Sequence, residues 1–450
     1  MSDEVDAVIE RVRERVTPDA AEQAELQAVA ARLIGRANAA IEPLPVGASV
    51  VQVGSTARGT WTAGDRDVDI FVCFPPDIER ERLAEYGLAV GHEVLPGGHE
   101  EYAEHPYVTG VVDGYEVDLV PCYDVADTTA IQSAVDRTPF HTRYLVERLD
   151  DDLAGEVRVC KQFMKGVGVY GSDLKTEGFS GYLTELLVLE HGGFRALVEA
   201  AASWTPPVRF DPAEHGQVEF DDPLVVVDPT DPERNVAAVL SADQLATFQH
   251  YARALLAEPR ESSFERSDPD PIDVEAVRQR IVARDTTPIA VRFDAPDIVA
   301  DQLWPQLVRS LDGITDELDR RGFDVLRSRA FADGTAVLFV ELEVSERPAV
   351  ERHVGPPVHV EDHARGFYEK YVDSDATGPF IEDDRYVVER EREYTTAAAF
   401  VESEALLDVA LGTHVASALE SDYAVLVGTA VTELAGEFGV ELARYFDPKP

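Results

Sequence analysis

Apolar residues recur at helical spacing from residue 3 to residue 42, interrupted at Thr17-Pro18, and predict two consecutive helices. The period then changes. ASVVQVGS, residues 48–55, reads as a strand ending in a small-residue turn, and DVDIFVCF, residues 67–74, as a second strand. From residue 107, YVTGVVDGYEVDLVPCY places two β-rich runs either side of Asp113-Gly114, a dipeptide that favours a two-residue hairpin turn. A small sheet with helices around it is therefore expected in the first part of the chain. Residues 150–200 become helical again, in DDLAGEVRVCKQFMKGVGVYG and FSGYLTELLVLEHGGFRALVEAA, joined by a Gly-rich bend. The acidic, Pro- and Ser-containing stretch 257–273, AEPRESSFERSDPDPID, predicts a linker. After it, PIAVRFDAPD, QLWPQLVRSLDGITDELDRRG, FDVLRSRAF and TAVLFVELEV read as β-α-β-β, a small sheet domain with its helix on one face. The last 55 residues are expected to be mostly helical. The predicted class is multidomain α+β, with domains at 1–150, 151–258 and 275–450.

The second strand carries a contradiction. Alternation puts Asp67, Asp69, Phe71 and Cys73 on one face and Val68, Ile70, Val72 and Phe74 on the other. Two carboxylates side by side repel unless water or a cation lies between them. In YEVDLVPCY, Glu116, Asp118 and Val120 share a face, so Asp118 becomes a third carboxylate at the same place if that strand neighbours residues 67–74. Three oxygen ligands of this kind suit Mg²⁺, which keeps several waters and completes its shell from substrate phosphates. The turn ahead of them fits a phosphate: Gly54 lets backbone come close, Ser55 offers a hydroxyl and an N–H, and Arg58 offers a fork of donors. A lone GS or a lone DxD would be an ordinary turn and a solvated strand edge. The joint spacing is what argues for chemistry.

Charge changes the picture less than its size suggests. The chain has 450 residues, 40 Lys and Arg against 86 Asp and Glu, and a net charge of −46. The acid is spread along the chain, and a hydrophobic fraction of 45% with persistent periodicity excludes wholesale disorder. A surface for cationic partners is one reading. The reading favoured here is a cytoplasmic protein from a cell with high internal salt, where self-repulsion is screened over about 3 Å at molar salt. On that reading, acidity does not exclude a nucleic-acid partner. Only five lysines occur, and Lys161, Lys165 and Lys175 are three of them, a clustering that suits a local anionic ligand. Cys73, Cys122 and Cys160 are odd in number and lack a CxxC pair, which indicates neither a disulfide framework nor a zinc knuckle. The N-terminal MSDEVDAVIERVRERV reads as an amphipathic helix and not a signal peptide, and no apolar run approaches the ~18 residues of a membrane span.

The GS turn, the DxD strand and the later Asp resemble the nucleotidyltransferase superfamily that includes DNA polymerase β. VGSTARGTWTAGDRDVDIFVCFP, residues 53–75, is similar more narrowly to the archaeal (class I) CCA-adding enzymes, the tRNA nucleotidyltransferases. DRTPFHTRYL at 136–145, KQFMKGVGVYGSDLKTEGFSGYLTELL at 161–187 and DPTDPERNVAAVLS at 228–241 follow in that family's order, and HVGPPV at 353–358 also matches it. The resemblance implies a catalytic head (1–150), a helical nucleotide-binding neck (151–258) and a tRNA-binding body and tail (275–450), with the Arg-rich DRRGFDVLRSR, 319–329, a candidate RNA contact. It implies template-free addition and repair of the 3′-terminal CCA of tRNA from CTP and ATP, with release of pyrophosphate. Another template-independent RNA nucleotidyltransferase, such as a poly(A)-type polymerase, is the alternative. Carried over residue by residue, Asp67, Asp69 and Asp118 are catalytic and carry Mg²⁺; Gly54, Ser55 and Arg58 grip the triphosphate. His141, Lys161 and Tyr170 contact the nucleotide, Thr138 and Ser180 lie near it, and Arg234 with Asn235 helps read the base. The family commonly has Glu or Asp where Asp67 stands. A homodimer is also implied. Taken singly, His141 could be a buried structural histidine, Tyr170 could simply pack, and Arg234 could pair with Asp231 or Glu233.

Overall fold

The computed structural model describes residues 2–102 and 104–450, which form two compact units divided between Ser267 and Asp268. The first unit runs α1 (Ser2–Val16), α2 (Ala20–Ile41), β1 (Ser49–Val53), α3 (Gly54–Arg58), β2 (Asp67–Phe74), α4 (Arg80–Val94), β3 (His99–Tyr102), β4 (Pro106–Val112) and β5 (Tyr115–Tyr123). It continues with α5 (Thr138–Val146), α6 (Asp151–Gly166), α7 (Gly181–His191), α8 (Phe194–Ala201), β6 (Val208–Phe210), β7 (Leu224–Asp228), β8 (Asp231–Asn235) and α9 (Ala242–Ala257).

The expected helix break at Thr17-Pro18 is where α1 ends, and Asp19 caps α2 by accepting from Glu22 N. The expected hairpin turn forms between β4 and β5, with Asp113 (φ 53°) and Gly114 (φ 83°) both left-handed. The five-stranded sheet has the order β1-β2-β5-β4-β3. Its central pair, β2 and β5, is parallel and in register, with Asp69 opposite Asp118 and Cys73 opposite Cys122. Val68, Ile70, Val72, Phe74, Val117 and Leu119 all point to one core, closed by Leu26, Leu33, Leu83 and Val90 of α2 and α4. On the other face a smaller cluster of Val53, Phe71, Cys73, Val120 and Cys122 gathers, with Val51, Tyr107 and Val135 packed against it, and the carboxylates continue that row. Cys73 and Cys122 lie far apart in sequence. Folding brings Cys73 and Cys122 within 3.3 Å, as free buried thiols.

α1 does not pack on this sheet. Val5, Val8, Val12 and Val16 share a core with α6 to α9, around Phe163, Phe194 and Phe248. The predicted linker is also partly structured, because Phe264 is fully buried in that same core. β6, β7 and β8 form a three-stranded sheet that periodicity did not reveal.

The second unit comprises α10 (Val274–Arg284), β9 (Thr287–Asp294), α11 (Ala300–Arg320), β10 (Val325–Ala332), β11 (Thr335–Leu342), β12 (Val350–Pro357), α12 (Glu361–Tyr371), β13 (Thr377–Glu382) and β14 (Arg385–Glu391). It ends in α13 (Ala397–Val401), α14 (Thr413–Ser421), β15 (Ala424–Val427) and α15 (Ala435–Phe446). The β-α-β-β reading gives β9, α11, β10 and β11. β15 joins them from the mostly helical end, in the order β10-β11-β9-β15. α11 covers one face through Leu307, Leu311 and Ile314, and α10 and α15 cover the other. The Arg-rich 319–329 stretch is largely engaged within this unit: Arg320 and Arg321 bind Glu317, and Arg327 donates to Tyr445 O. A further sheet, β12-β14-β13, was not expected. Among the described residues no helix is long and apolar enough to cross a membrane.

Candidate active site

The turn after β1 is tighter than the sequence suggested. Gly54 to Arg58 form the one-turn helix α3, closed where Gly59 N donates to Ser55 O. Gly54 begins it at φ +75°, and an added Cβ there would lie 1.8 Å from Asp69 Oδ2. The carboxylate of Asp69 thus fills the space that glycine's missing side chain leaves.

Asp69 faces Asp118 across the β2–β5 pair, and Asp67 and Glu116 are the next partners along it. Burial, then the charge of Asp118, pushes the Asp69 carboxyl up to about 6 against the opposing pull of Arg58. Burial also raises Asp67, helped by Asp65 and Glu116. Burial raises Asp118 as well, offset in part by a hydrogen bond from Thr109. Among the described residues no three His, Cys, Asp or Glu side chains form a ready ligand cage. The donor set nonetheless fits a hard divalent cation: all oxygens, on one face, mutually repelling, with Gly54 shaped around one of them.

Beside the carboxylates lies a buried cation cluster. Arg58 donates Nε–H to Glu185 Oε1 at 3.1 Å, sets Nη2 3.0 Å from Oε2, and donates Nη1–H to Thr142 Oγ1 at 3.3 Å. Lys161, 3% exposed, donates to Thr60 O at 3.1 Å and lies 3.7 Å from Glu185. Burial pulls the Lys161 ammonium down from its usual range, with Glu185 opposing. Burial alone would raise Glu185, but Arg58 and Lys161 outweigh it and hold the carboxylate ionised. Removing one partner from a buried cluster of this kind costs about 3–5 kcal/mol. A Cβ on Gly181 would meet Tyr170 OH at 3.2 Å and Lys161 Nζ at 4.0 Å, so Tyr170 and Lys161 converge on the start of α7. Ser180 caps that helix, its Oγ accepting from Leu183 N at 3.0 Å. Lys165 pairs with Asp65 at 3.3 Å and lies over the Tyr170 ring.

The third group centres on Asp228, the fully buried last residue of β7. Its Oδ2 accepts from His141 Nε2 at 2.7 Å and from Arg234 Nη1 at 2.8 Å. Oδ1 accepts from Thr230 N and Oγ1, and from Tyr182 OH at 3.3 Å. Burial would raise this carboxyl, yet the donors hold it well below the usual carboxylate range. His141 stacks on Tyr182 with ring centroids 3.9 Å apart, and burial lowers its imidazole against the opposing pull of Asp228. Arg234 therefore pairs neither with Asp231 nor with Glu233. Asp231 instead takes Arg137, and Asn235 is buried, bonding Asp222 and Leu224 O. Thr138 opens α5, the helix that carries His141 and Thr142.

The structure thus brings Gly54, Arg58, Asp67, Asp69, Asp118, His141, Lys161, Tyr170 and Arg234 into one chain of contacts and charge interactions, with Ser55 in α3 among them. Thr138 and Ser180 serve the adjoining helix starts. Glu185, Asp228, Tyr182 and Thr60 were not anticipated. Their signals were faint but present: Glu185 is the one carboxylate in the apolar run GYLTELLVL, and Asp228 ends the wholly buried run LVVVD.

Three family profiles match the chain in order. They are described as "Nucleotidyltransferase domain" (residues 37–141), "tRNA nucleotidyltransferase, second domain" (155–265) and "CCA-adding enzyme, C-terminal domain" (284–428). The chain is 65% identical to a CCA-adding enzyme of Haloarcula marismortui and 60% identical to one of Halorubrum lacusprofundi, in each case over 100% of both chains. It is 44% identical to a CCA-adding enzyme of Methanoregula boonei over 96% of this chain and 93% of that one. Among solved structures, the chain is similar to the Cid1 poly(U) polymerase, 16% identical at a TM-score of 0.44, over 58% of this chain and 98% of that one. With full-length identity this high and three matched domains between residues 37 and 428, the chain belongs to the CCA-adding enzymes and is a nucleotidyltransferase.

Proposed function

We propose that this protein completes and repairs the 3′ end of tRNA, adding C, C and A from CTP and ATP without a nucleic-acid template and releasing pyrophosphate at each step. The observation that carries the reading is the facing pair Asp69–Asp118 beside Gly54 and Arg58. Residues 1–150 act as catalytic head, 151–258 as nucleotide-binding neck and 275–450 as tRNA-binding body and tail. Asp67, Asp69 and Asp118 hold Mg²⁺. When bound, a divalent cation there would supply charge neutralisation for the triphosphate and for deprotonation of the attacking 3′-hydroxyl.

The remaining work belongs to positioning and charge. Ser55 and Arg58 orient the triphosphate. Lys161 and Tyr170 bound its pocket. His141, stacked on Tyr182, forms a flat surface beside Arg234, and Asp228 holds both His141 and Arg234 in place. Because the protein is so acidic, RNA binding relies on shape, stacking and a few arginines rather than on a broad basic surface. The protein works as a homodimer in the cytoplasm of a salt-accumulating cell.

A tRNA transcript lacking its 3′ CCA, incubated with protein and Mg²⁺ in molar KCl, tests the reading at single-nucleotide resolution. The expected result is growth by two with CTP alone and by one more when ATP is added. A long tail from ATP alone, or no growth at any salt, would overturn it. Activity is also expected to pass through a maximum as KCl rises, because salt supports folding of the acidic chain but weakens RNA contacts. A monotonic decline from low salt would contradict that balance.

A further inference from the structure

Glu185 is the charged member of the buried cluster with no part in the scheme above. It sits on α7 with no solvent exposure, amid Leu183, Leu186, Leu187 and Val188. Its Oε1 accepts from Arg58 Nε and from the Thr60 hydroxyl, whereas Oε2, facing Arg58 Nη2 at 3.0 Å, has no hydrogen bond in line. A buried carboxylate with an incompletely satisfied oxygen is a poor source of stability, since an apolar group of similar volume often serves as well.

What the pairing does is fix Arg58. A guanidinium has five N–H donors in one plane. Nε donates to Glu185 and Nη1 to Thr142, and Nη2 lies 3.0 Å from Glu185 Oε2, which sets that plane and leaves N–H groups of Nη1 and Nη2 for other acceptors. The carboxylate also lets two cations, Arg58 and Lys161, stand together in a buried place. One negative charge between two positive ones leaves a net positive charge next to Asp69, where a polyanionic ligand and its cation would meet.

We propose that Glu185 is a positioning residue for nucleotide binding: it orients Arg58 toward the triphosphate of the incoming nucleotide without touching the nucleotide itself. This rests on the reading that Arg58 grips the triphosphate. It accounts for a fully buried charge that neither core packing nor helix propensity requires.

The test is a double-mutant cycle on the full-length protein in molar KCl with Mg²⁺, titrating CTP in the absence of tRNA and recording Tm for each variant. Glu185→Gln keeps the shape and removes the charge. It is expected to weaken CTP binding roughly ten- to a hundredfold, the range for losing a charge-assisted hydrogen bond. Arg58→Ala is expected to weaken it at least as much. Adding Glu185→Gln to Arg58→Ala should then cost less than about twofold more, because the carboxylate acts through the arginine. Fully additive losses, wild-type CTP affinity in Glu185→Gln, or wild-type affinity in Arg58→Ala would each overturn the proposal. If Glu185→Gln does not fold, Glu185→Asp keeps the charge but shortens the reach, and unchanged CTP affinity in that variant overturns it equally. A wild-type protein that binds CTP but does not extend tRNA would refute the CCA-adding reading and leave this cycle to be decided by binding alone.

Discussion

Replacing Asp69 with asparagine abolishes nucleotide addition and, without metal at neutral pH, makes the protein more stable rather than less. The two effects share a cause. Asp69 is isosteric with its replacement, so the fold has little to adjust. Its carboxyl is pushed up to about 6 from a normal 3.8, first by burial and then by Asp118 across the strand pair. A raised acid binds its proton more tightly when folded. Its contribution to stability is therefore greatest below about pH 4 and is lost as pH climbs through about 6. Above that pH the folded protein carries a penalty of up to about 3 kcal/mol, taking ~1.4 kcal/mol per unit. Asparagine removes that penalty. Calorimetry in chelator should show Tm rising for Asp69→Asn at pH 7 and no such rise at pH 4. Molar salt does not erase the effect, because the largest cause is desolvation rather than long-range charge. Incorporation of CMP into tRNA should fall by roughly three orders of magnitude or more, as expected for loss of a ligand from a phosphoryl-transfer site. Asp118→Ala should do the same with the fold intact. Near-wild-type incorporation by either variant would dismiss the carboxylates as the catalytic centre.

The carboxylate strand was legible for a simple reason. DVDIFVCF alternates, one face is wholly apolar, and a charged pair on the other face has few innocent explanations. The hairpin was legible because Asp113-Gly114 supplies two left-handed residues in succession. What alternation could not say is which strands meet. β3 and β4 intervene between β2 and β5 in sequence, and only the folded sheet makes β2 and β5 a parallel, in-register pair.

Residues that organise the site from within were harder to see. Glu185 and Asp228 lie in stretches that read as core, and the cue is a single charge among apolar neighbours, with its partners 127 and 87 residues away in sequence for Arg58 and His141. The β12-β14-β13 sheet was missed because its strands are short of buried positions, carry register shifts and include prolines, so no clean period survives. The 257–273 stretch has a linker's composition, yet a single phenylalanine, Phe264, ties its first half to the core.

Gly54→Ala should be nearly as damaging as loss of a carboxylate, although it removes no functional group. The added methyl faces two separate obstacles. Gly54 lies at φ +75°, where an L side chain costs about 1–2 kcal/mol. The ideal Cβ would also sit 1.8 Å from Asp69 Oδ2 and 2.9 Å from its Cγ, so one of them must move. If Asp69 turns aside, it leaves the space it shares with Asp118. If α3 moves instead, it carries Ser55 and Arg58 with it. Either outcome breaks the spatial relation between the carboxylates and the phosphate-facing helix, and kcat for CTP addition should fall by more than about a hundredfold. Gly59→Ala separates the two obstacles. Gly59 has a similar φ of +68°, but nothing lies within 4 Å of its ideal Cβ. Gly59→Ala should lose a few degrees of Tm and Gly54→Ala at least as much, whereas only Gly54→Ala should lose most of its activity. Equal activity losses would assign the effect to backbone strain in α3, and wild-type activity in Gly54→Ala would mean that Asp69 is not held against Gly54 when the enzyme works.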